Sequence, residues 1–416
     1  MHHFQLQDNE LYAEQVPVRD LAEEFGTPLY VYSASTLRRH FRAFHGAFQD
    51  VSHLTCFSVK CNSNLSVLRL LQQEGAGADI VSGGELTKAL KAGIPAERIV
   101  FSGVGKMRWE MKNALEAGIL MFNVESEQEL GLLGRVTEET GKTAPMSLRI
   151  NPDVDPGTHP YISTGLQKNK FGIPIERAEE LYERARQHPG LDPVGVDCHI
   201  GSQLTEISPF MESLQRLLEL WSRLRGRGLS LKYLDLGGGL GITYGEEEPP
   251  HPGELGRALC RELADQDLTL ILEPGRVIAG NAGIMVTRTL YNKESPLKHF
   301  TVVDAAMNDL IRPSHYNAYH RIAEVVPQGR PAVTTDVVGP ICETGDFLAQ
   351  DRELPQVEPD ELLAVFSSGG YGFAMSSQYN SRPRAAEVLV DGDRARLVRD
   401  RESIGEMIAP EEKHLR

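Results

Sequence analysis

The sequence predicts an α/β fold, a (β/α)8 TIM-type barrel, together with a second, β-rich domain. Two observations favour the barrel. Eight apolar, strand-like runs alternate with amphipathic helical segments, and polar or glycine residues follow several of these runs. A third observation favours the second domain: after about residue 280, period-two runs follow one another without intervening helices.

The eight predicted barrel strands are short and apolar. They are Leu54–Val59, Asp79–Ser82, Ile99–Ser102, Ile119–Val124, Met146–Asn151, Val194–Ile200, Tyr233–Leu236 and Thr269–Glu273. Helix signals lie between them, because Ser126 and Glu129 have the spacing of a capping box and Ser208-Pro209 opens a long amphipathic segment. Such alternation is typical of a closed parallel barrel rather than an open sheet.

The rest of the chain predicts a β domain, a sandwich or barrel, to which both termini contribute. Its strand signals are Gly283–Tyr291, Phe300–Ala305 and Ala332–Gly339. Ala386–Val398 predicts a hairpin that turns at Asp391-Gly392, and the opening FQLQDNELYAE predicts another. We therefore assign residues 30–280 to the barrel, and residues 1–29 and 281–416 to the β domain.

Composition excludes several classes of protein. The net charge of −15 disfavours binding to nucleic acid or to an anionic membrane, since both require a basic surface. No apolar run is long enough to span a bilayer, and the N-terminus lacks a signal-peptide core. The five cysteines show no CxxC pairing, which favours reduced thiols over disulfides or a metal site. We expect a cytoplasmic protein without a metal.

Five of the predicted strands end in residues that carry chemistry. Strand 1 ends at Lys60 and strand 5 at Asn151, while strands 6, 7 and 8 end in DCHIGS, DLGGGLG and EPGR. Barrel active sites lie at the carboxyl ends of the strands. The sequence therefore predicts a site at that end of the barrel.

Lys60 is an unusual residue for the end of a buried strand. One interpretation is a surface lysine whose stem packs on apolar residues while its amine reaches water. The other is an amine held at the barrel mouth to condense with a carbonyl group. Pyridoxal phosphate needs such an amine, so Lys60 is a candidate for its attachment.

The ends of strands 6 to 8 suggest where the rest of such a cofactor binds. The glycines of DLGGGLG allow backbone N–H groups to face a phosphate, which barrels often bind after strands 7 and 8. Glu273 offers a carboxylate to a pyridine nitrogen; the alternative is an ion pair with Arg276. His199 offers a ring to stack on the cofactor; the alternative is a core histidine bonded to backbone groups.

These residues carry a resemblance to a known family. The segments VKCN, GADIVSGGEL, HIGSQ, LGGGLG, EPGR, GPICETGDFLA and GYGFAMSSQYNSRPR occur in order along nearly the whole chain. The set resembles the fold-type III pyridoxal-phosphate decarboxylases, whose barrel is of the alanine racemase type. It is most similar to their diaminopimelate-decarboxylating branch. One departure is Cys61, where the family usually has alanine.

The resemblance implies a role for each matching residue. Lys60 is implied to join covalently to pyridoxal 5'-phosphate, His199 to stack on its ring and Glu273 to contact its pyridine nitrogen. The further cofactor contacts implied are Asp79, Ser202, Gly239, Gly275, Arg276 and Tyr371. Tyr371 is implied to lie near the substrate as well.

Cys342 and Glu343 are the residues that the resemblance makes most informative. A free cysteine is commonly a small buried hydrophobe. In the family, however, this cysteine is the proposed donor of a proton to the carbon that has lost CO2, and a thiol suits that task. The resemblance also implies that both residues reach the active site of a partner subunit, so that a homodimer is the working unit.

The residues for substrate choice favour meso-2,6-diaminopimelate, which would yield L-lysine and CO2 in the last step of lysine biosynthesis. Its distal end carries an ammonium and a carboxylate, which Glu343 and the cations Arg276 and Arg312, with Tyr316, match. Related ornithine and arginine decarboxylases carry aspartate after the cysteine, where this chain has Glu343. An alternative for Arg312 is an ion pair between domains.

Three other functions stay open on the sequence: decarboxylation of another amino acid such as ornithine, arginine or a polyamine or antibiotic precursor; racemization; and non-catalytic cofactor binding. The polar segment Gly157–Gly172, after strand 5, predicts an active-site lid. We assign His159 within it no chemical role.

Overall fold

The computed structural model describes residues 2–154 and 170–415, which form two compact units. The barrel unit contains His40–Ile242 and Glu248–Val277. The sheet unit contains Met1–Arg39, Thr243–Glu247 and Ile278–Arg416. These bounds place residues 30–39, 243–247 and 278–280 in the sheet unit, whereas we predicted them in the barrel. Residues 29–33 form a strand that pairs with strands near residues 283 and 386, so this segment belongs with the sheet.

The predicted barrel is confirmed, with all eight strands present. Barrel strands 1 to 8 are His53–Ser58, Gly77–Ile80, Ile99–Phe101, Met121–Val124, Ala144–Asn151, Leu191–Asp197, Tyr233–Asp235 and Thr269–Leu272. Each pairs in parallel with its neighbours, and strand 8 pairs with strand 1, which closes the barrel. A two-residue strand, Ile173–Pro174, extends strand 5 at one edge.

A helix follows each barrel strand. These helices are Leu65–Gln73, Gly83–Lys91, Arg108–Ala117, Glu127–Thr140, Ile175–Gln187, Ser208–Gly226, Pro252–Leu263 and Arg276–Ala279. Ala34–His45 precedes strand 1, and single 3-10 turns form at Gly46–Phe48, Val59–Cys61 and Ala96–Arg98. The Ser126 hydroxyl accepts a hydrogen bond from the Glu129 N–H, as the capping spacing predicts.

The sheet unit is built around one mixed sheet with strands from both ends of the chain. Its strands are Leu29–Ser33, Gly283–Glu294, His299–Val303, Ile322–Glu324, Ala332–Val338, Phe347–Pro355, Leu362–Val365, Ala386–Asp391 and Arg394–Arg399. The predicted hairpin at Asp391-Gly392 is present, and Gly392 has the positive φ of 65° that its turn requires. The predicted N-terminal hairpin forms a separate small sheet from Phe4–Gln7, Glu10–Ala13 and Val16–Pro17.

Helices accompany the strands of the sheet unit, which the strand-like runs of the sequence did not indicate. Val18–Phe25, Arg312–Tyr316 and Ile404–Glu412 are helical, and 3-10 turns form at Gly280–Ala282, Phe373–Met375 and Tyr379–Ser381. Arg312–Tyr316 forms because Pro313 suits the first turn of a helix, where its missing N–H has no intrahelical partner to lose. Within the described part of the chain, each helix is either too short or too polar to traverse a bilayer.

Candidate active site

Eight of the predicted site residues lie in the barrel unit, at or just beyond the carboxyl ends of strands. They are Lys60, Asp79, His199, Ser202, Gly239, Glu273, Gly275 and Arg276. The remaining five, Arg312, Tyr316, Cys342, Glu343 and Tyr371, lie in the sheet unit. Most of the predicted cofactor residues thus belong to the barrel unit, whereas Tyr371 and most of the predicted substrate residues belong to the sheet unit. His159 lies outside the described residues, as does most of the predicted lid.

Lys60 is held by a buried carboxylate rather than reaching freely into water. Its Nζ donates to Asp79 Oδ2 at 2.6 Å, and the Ser58 hydroxyl donates to the same oxygen at 2.6 Å. The Lys60 side chain is 34% exposed, whereas Asp79 is fully buried. The amine is therefore both reachable from solvent and oriented by a charged hydrogen bond, as a residue that forms a covalent bond requires.

Glu273 follows strand 8 and lies in a buried polar network that forms the floor of the candidate site. Its Oε1 accepts from the Ser102 hydroxyl at 3.2 Å and from Asn123 Nδ2 at 3.4 Å. The same Asn123 nitrogen lies 3.2 Å from Asp235 Oδ2, and the Ser147 hydroxyl donates to Asn123 Oδ1 at 2.7 Å. Four barrel strands thereby hold Glu273 in one orientation.

The electrostatics of this floor are dominated by buried acids. Burial raises the pKa of Glu273 well above its ordinary value, and the nearby Asp235 and Asp79 raise it further. Lys60 and Arg149 oppose that rise. Burial likewise raises the pKa of Asp235. The floor therefore favours a positively charged group beside Glu273, since such a group would stabilise the ionised carboxylate.

Asp197 completes the acidic cluster. One oxygen each of Asp197, Asp235 and Glu273 lie within 4.8 Å of one another, and Asp197 Oδ1 has no hydrogen-bond partner among the described residues. Burial, and then the charge of Glu273, raise the pKa of Asp197, while Arg149 lowers it. Because these acids lie close together in a buried site, each disfavours ionisation of the others.

Arg149 is a site residue that the sequence reasoning missed. It is 6% exposed, its Nη1 donates to Glu125 Oε1 at 2.8 Å, and its Nη2 donates to the backbone oxygen of His199 at 3.3 Å. The signal was present, because an arginine stands inside the otherwise apolar run MSLRI of strand 5. A buried charge in a barrel strand requires a partner, and here it also places a cation near the acidic floor.

His199 is oriented by the glycine loop. Its Nδ1 accepts a hydrogen bond of 3.0 Å from the Gly238 N–H, which leaves the proton of the neutral ring on Nε2. Burial lowers its pKa well below the ordinary value, and the cations Arg149 and Lys60 lower it further. The ring is thus neutral at physiological pH, which suits stacking on a cationic aromatic ring.

The glycine loop is shaped by close backbone approaches. A Cβ atom at Gly238 would lie 2.2 Å from the carbonyl oxygen of Glu273, and one at Gly239 would lie 2.6 Å from that of Gly201. Gly237 and Gly239 also have positive φ angles, 64° and 124°. Only glycine meets both conditions, so the loop can expose successive N–H groups at the carboxyl end of strand 7.

Arg276 and Ser202 lie together beside this loop, since the Arg276 Nη2 donates to the Ser202 hydroxyl at 3.0 Å. Gly275 precedes Arg276, and a Cβ atom there would lie 2.9 Å from the Cβ of Cys61. Cys61 is 1% exposed. The cysteine that departs from the family pattern is therefore packed against this turn and shielded from solvent.

Glu85, like Arg149, is a residue near the site that the sequence reasoning missed. Its Oε2 accepts from the Val81 N–H at 2.8 Å, and burial raises its pKa to about 7. The hydrogen bond from Val81 and the charge of Lys60 both act in the opposite direction. Glu85 therefore lies close enough to Lys60 for their charges to interact.

Arg312 in the sheet unit is almost fully buried, at 6% exposure. Its Nε donates to His320 Nε2 at 3.3 Å, and its guanidinium lies 4.9 Å from the ring centre of Tyr244 and 5.7 Å from that of Tyr316. These contacts place Arg312 and Tyr316 together, as the sequence predicted for a carboxylate clamp. They give the guanidinium aromatic neighbours within its own unit.

Cys342 and Glu343 lie on an exposed turn of the sheet unit. The turn is held by Asp346, whose two oxygens accept from the N–H groups of Ile341 and Met307, both at 2.7 Å. Among the five cysteines, Cys342 alone is exposed. Tyr371 lies on another turn of this unit and has a positive φ of 57°, a strained value for a tyrosine that is often found at functional sites.

Comparison with known proteins points to one family. A family model described as "Pyridoxal-dependent decarboxylase, pyridoxal binding domain" matches residues 34–280. A diaminopimelate decarboxylase from Pseudomonas aeruginosa is 54% identical over 408 residues, which cover 98% of each chain. One from Vibrio cholerae is 54% identical over 406 residues, which cover 97% of each.

A solved structure agrees as well. The crystal structure of diaminopimelate decarboxylase from Helicobacter pylori complexed with L-lysine is 41% identical to this chain and has a TM-score of 0.93. The match covers 96% of this chain and 100% of the Helicobacter pylori chain. Sequence identity of this extent over nearly the full length shows the family. The chain therefore belongs to the diaminopimelate decarboxylases, within the family of pyridoxal-dependent decarboxylases.

Proposed function

We propose that this chain converts meso-2,6-diaminopimelate to L-lysine and CO2 with pyridoxal 5'-phosphate bound at the carboxyl end of the barrel. One observation carries the proposal. An oriented amine, a buried carboxylate and a glycine loop lie at the ends of strands 1, 8 and 7 in a chain that is 54% identical to a diaminopimelate decarboxylase.

The residues present fit that cofactor. Gly239, Gly275, Ser202 and Arg276 offer N–H groups, a hydroxyl and a guanidinium to a phosphate. Asp79 Oδ1 is fully buried and has no hydrogen-bond partner among the described residues, which leaves an acceptor at the place where the cofactor would lie.

The acidic floor supports the same assignment. Bound pyridoxal phosphate supplies an electron sink that accepts the electron pair left when CO2 departs, and a protonated ring nitrogen strengthens the sink. Glu273 would hold that proton in place, and the positive ring would lower the raised pKa of Glu273. Lys60 would provide the covalent attachment, and His199 would cover one face of the ring with a neutral imidazole.

The substrate residues have separate tasks. Cys342 would deliver the proton to the carbon that has lost CO2, and Glu343 would accept the distal ammonium of the substrate. Arg312 and Tyr316, with Arg276, would bind its carboxylate groups. Tyr371, held in a strained turn, would contact both substrate and cofactor.

We further propose that the working unit is a homodimer in which Cys342 and Glu343 serve the partner's active site. The support is their exposure on a turn of the sheet unit, because a proton donor exposed on its own subunit needs a second surface to exclude water. Five free cysteines also support a reducing compartment, the cytoplasm.

A comparison of substrates tests the function directly. CO2 release is measured with meso-diaminopimelate, L-ornithine and L-arginine, and the product is identified to exclude racemization. We expect lysine from diaminopimelate and at least about 100-fold lower kcat/KM for the other two, since they leave the distal carboxylate site unpaired. Equal or faster turnover of ornithine would overturn the substrate assignment.

Two lysine variants test the cofactor assignment. Lys60→Ala is expected to abolish the visible absorbance of covalently bound cofactor and to lower kcat by about 1,000-fold or more. Lys112→Ala removes an exposed lysine and serves as the matched control, with absorbance and turnover unchanged. Retention of cofactor absorbance by Lys60→Ala would show that another amine carries the attachment.

A further inference from the structure

Two adjacent residues of the sheet unit hold the proposed proton donor and its neighbour. The N–H of Cys342 donates to Asn380 Oδ1 at 2.8 Å. The hydroxyl of Tyr379 donates to Glu343 Oε2 at 2.8 Å. Two successive residues, Tyr379 and Asn380, thus bond to two other successive residues that lie 36 to 38 positions earlier in the sequence.

The backbone that presents these two residues is strained. Asn380 has a φ of 55° and Ser381 a φ of 54°, both in the left-handed region. Asparagine tolerates that region better than most residues, but two consecutive non-glycine residues there still cost free energy. Strain of this kind persists only where the surrounding contacts impose it.

Hydrogen bonds on both sides of this strained segment hold its backbone in place. The Ser377 N–H donates to the Asn308 oxygen at 2.9 Å, and Gln378 Nε2 donates to Glu402 Oε2 at 2.9 Å. On the other side of the strained pair, the Arg384 Nε donates to Glu402 Oε1 at 2.6 Å. The segment is therefore fastened both before and after Tyr379 and Asn380.

The two contacts do little for the stability of the chain itself. Cys342, Glu343 and Asn380 are exposed, and Tyr379 is 45% exposed. Exposed hydrogen bonds contribute little net free energy because water competes for both partners. The segment is strained and is held by hydrogen bonds on both sides, yet its contacts add little stability. It is better explained by the orientation that it gives to Cys342 and Glu343.

The Tyr379 phenol is suited to remain the donor in this arrangement. Its hydrogen bond to Glu343 and the charge of that carboxylate raise its pKa above the ordinary value, and Cys342 acts in the same direction. Tyr379 therefore keeps its proton at neutral pH and remains the hydrogen-bond donor to Glu343.

We propose that Asn380 and Tyr379 are positioning residues, Asn380 for the Cys342 thiol and Tyr379 for the Glu343 carboxylate. This inference rests on the roles proposed above for Cys342 and Glu343. Asn380 acts on the delivery of the proton, because it anchors the backbone that carries the thiol. Tyr379 acts on recognition of the distal ammonium, because it restricts the carboxylate to one direction.

Variants at Asn380 separate the hydrogen bond from the backbone strain. Asn380→Gly adopts the left-handed conformation readily but lacks the acceptor, whereas Asn380→Asp retains both the acceptor and some tolerance of that conformation. We expect Asn380→Gly to lower kcat about tenfold with KM within about twofold, and Asn380→Asp to recover kcat to within about threefold of the parent.

Two further readouts distinguish positioning from general loss of structure. A misdirected thiol would allow the proton to reach the cofactor instead of the carbon that has lost CO2, and hydrolysis would then release an aldehyde in place of lysine. The ratio of lysine formed to CO2 released should therefore fall below one in Asn380→Gly and stay at one in Asn380→Asp. In cofactor-free protein, alkylation by iodoacetamide reports on Cys342, the one exposed cysteine, and its rate should change in Asn380→Gly alone.

Tyr379→Phe tests the other contact without altering the backbone. We expect KM for meso-diaminopimelate to rise about tenfold with kcat within about threefold, and cofactor absorbance to stay unchanged. If Asn380→Gly fails to fold, Tyr379→Phe still tests the inference. Unchanged KM in Tyr379→Phe, or unchanged kcat and product ratio in folded Asn380→Gly, would overturn the respective half of the inference.

The roles on which the inference rests are tested separately. Cys342→Ala is expected to keep the cofactor and lose most turnover. If Cys342→Ala retains full turnover, the proton-donor assignment fails. If it loses turnover while Asn380→Gly behaves like the parent, the assignment stands and only the positioning inference is wrong.

Discussion

Glu85 illustrates how one half-buried side chain links the site to stability. Its folded pKa of about 7 exceeds the ordinary 4.5, because burial disfavours the ionised form. An unfolded chain releases this proton near the ordinary value, so the folded chain binds more protons between the two. Its stabilising contribution is therefore present below about pH 4.5 and is lost as the pH rises to about 7.

Glu85→Gln removes that pH dependence. The variant stays neutral and keeps an acceptor for the Val81 N–H. We expect cofactor-free Glu85→Gln to match the parent near pH 4.5 and to exceed its free energy of unfolding above pH 7 by at most about 3 kcal/mol. Denaturant unfolding at several pH values measures the difference.

Glu219→Gln is the control for this experiment, because Glu219 is exposed in the middle of a barrel helix. Its curve should follow that of the parent at every pH. A Glu85→Gln variant that gains nothing above pH 7 would mean that Glu85 ionises normally in the folded chain.

At the scale of single elements, the loop after strand 7 is the most constrained part of the site. Gly239→Ala would place a Cβ atom 2.6 Å from the Gly201 oxygen at a φ of 124°, which an alanine rarely adopts. We expect the loop to shift and the affinity for pyridoxal phosphate to fall at least about tenfold, since its N–H groups would no longer face the phosphate. Titration of cofactor-free protein with pyridoxal phosphate measures this.

Gly226→Ala provides the matched glycine control. A Cβ atom there would have no neighbour within 4 Å, and Gly226 lies at the end of the helix Ser208–Gly226. Cofactor affinity should not change, and stability should stay the same or rise slightly. Equal affinities of the two variants would argue against a phosphate-binding role for the strand 7 loop.

At the scale of the whole molecule, the proposed dimer makes a quantitative prediction. Lys60→Ala inactivates the site of its own chain. If Cys342 serves the partner, Cys342→Ala inactivates the site of the partner chain. A mixed dimer then contains one intact site and one doubly altered site. Mixing equal amounts of the two variants under exchanging conditions should restore roughly a quarter of parental activity, because half of the dimers are mixed and each has one working site.

Sites confined to one chain would give a different result, since no mixing could then restore activity. Sedimentation or light scattering on the same samples establishes the oligomeric state. A purely monomeric parent with full activity would contradict the shared site as well.

Much of the barrel was predictable because its signals are local. Strand and helix periodicities, glycine turns and polar strand ends all lie within a few residues of one another, so all eight strands were placed to within about three residues. The rim residues Lys60, His199, Glu273 and Arg276 follow from the same rule, since parallel barrel strands bring their carboxyl ends to one side.

The amino-acid sequence alone was therefore enough to establish the barrel, the sheet unit and the residues that carry the family pattern. Tertiary structure decided what those residues contact: the Arg149–Glu125 pair and the shared contacts of Asn123. It also decided the assignment of Leu29–Ser33 to the sheet unit. The physical reason is sequence separation. Each of these contacts joins residues more than 20 positions apart, and such pairings depend on how whole elements pack rather than on any periodicity that a short window of sequence contains.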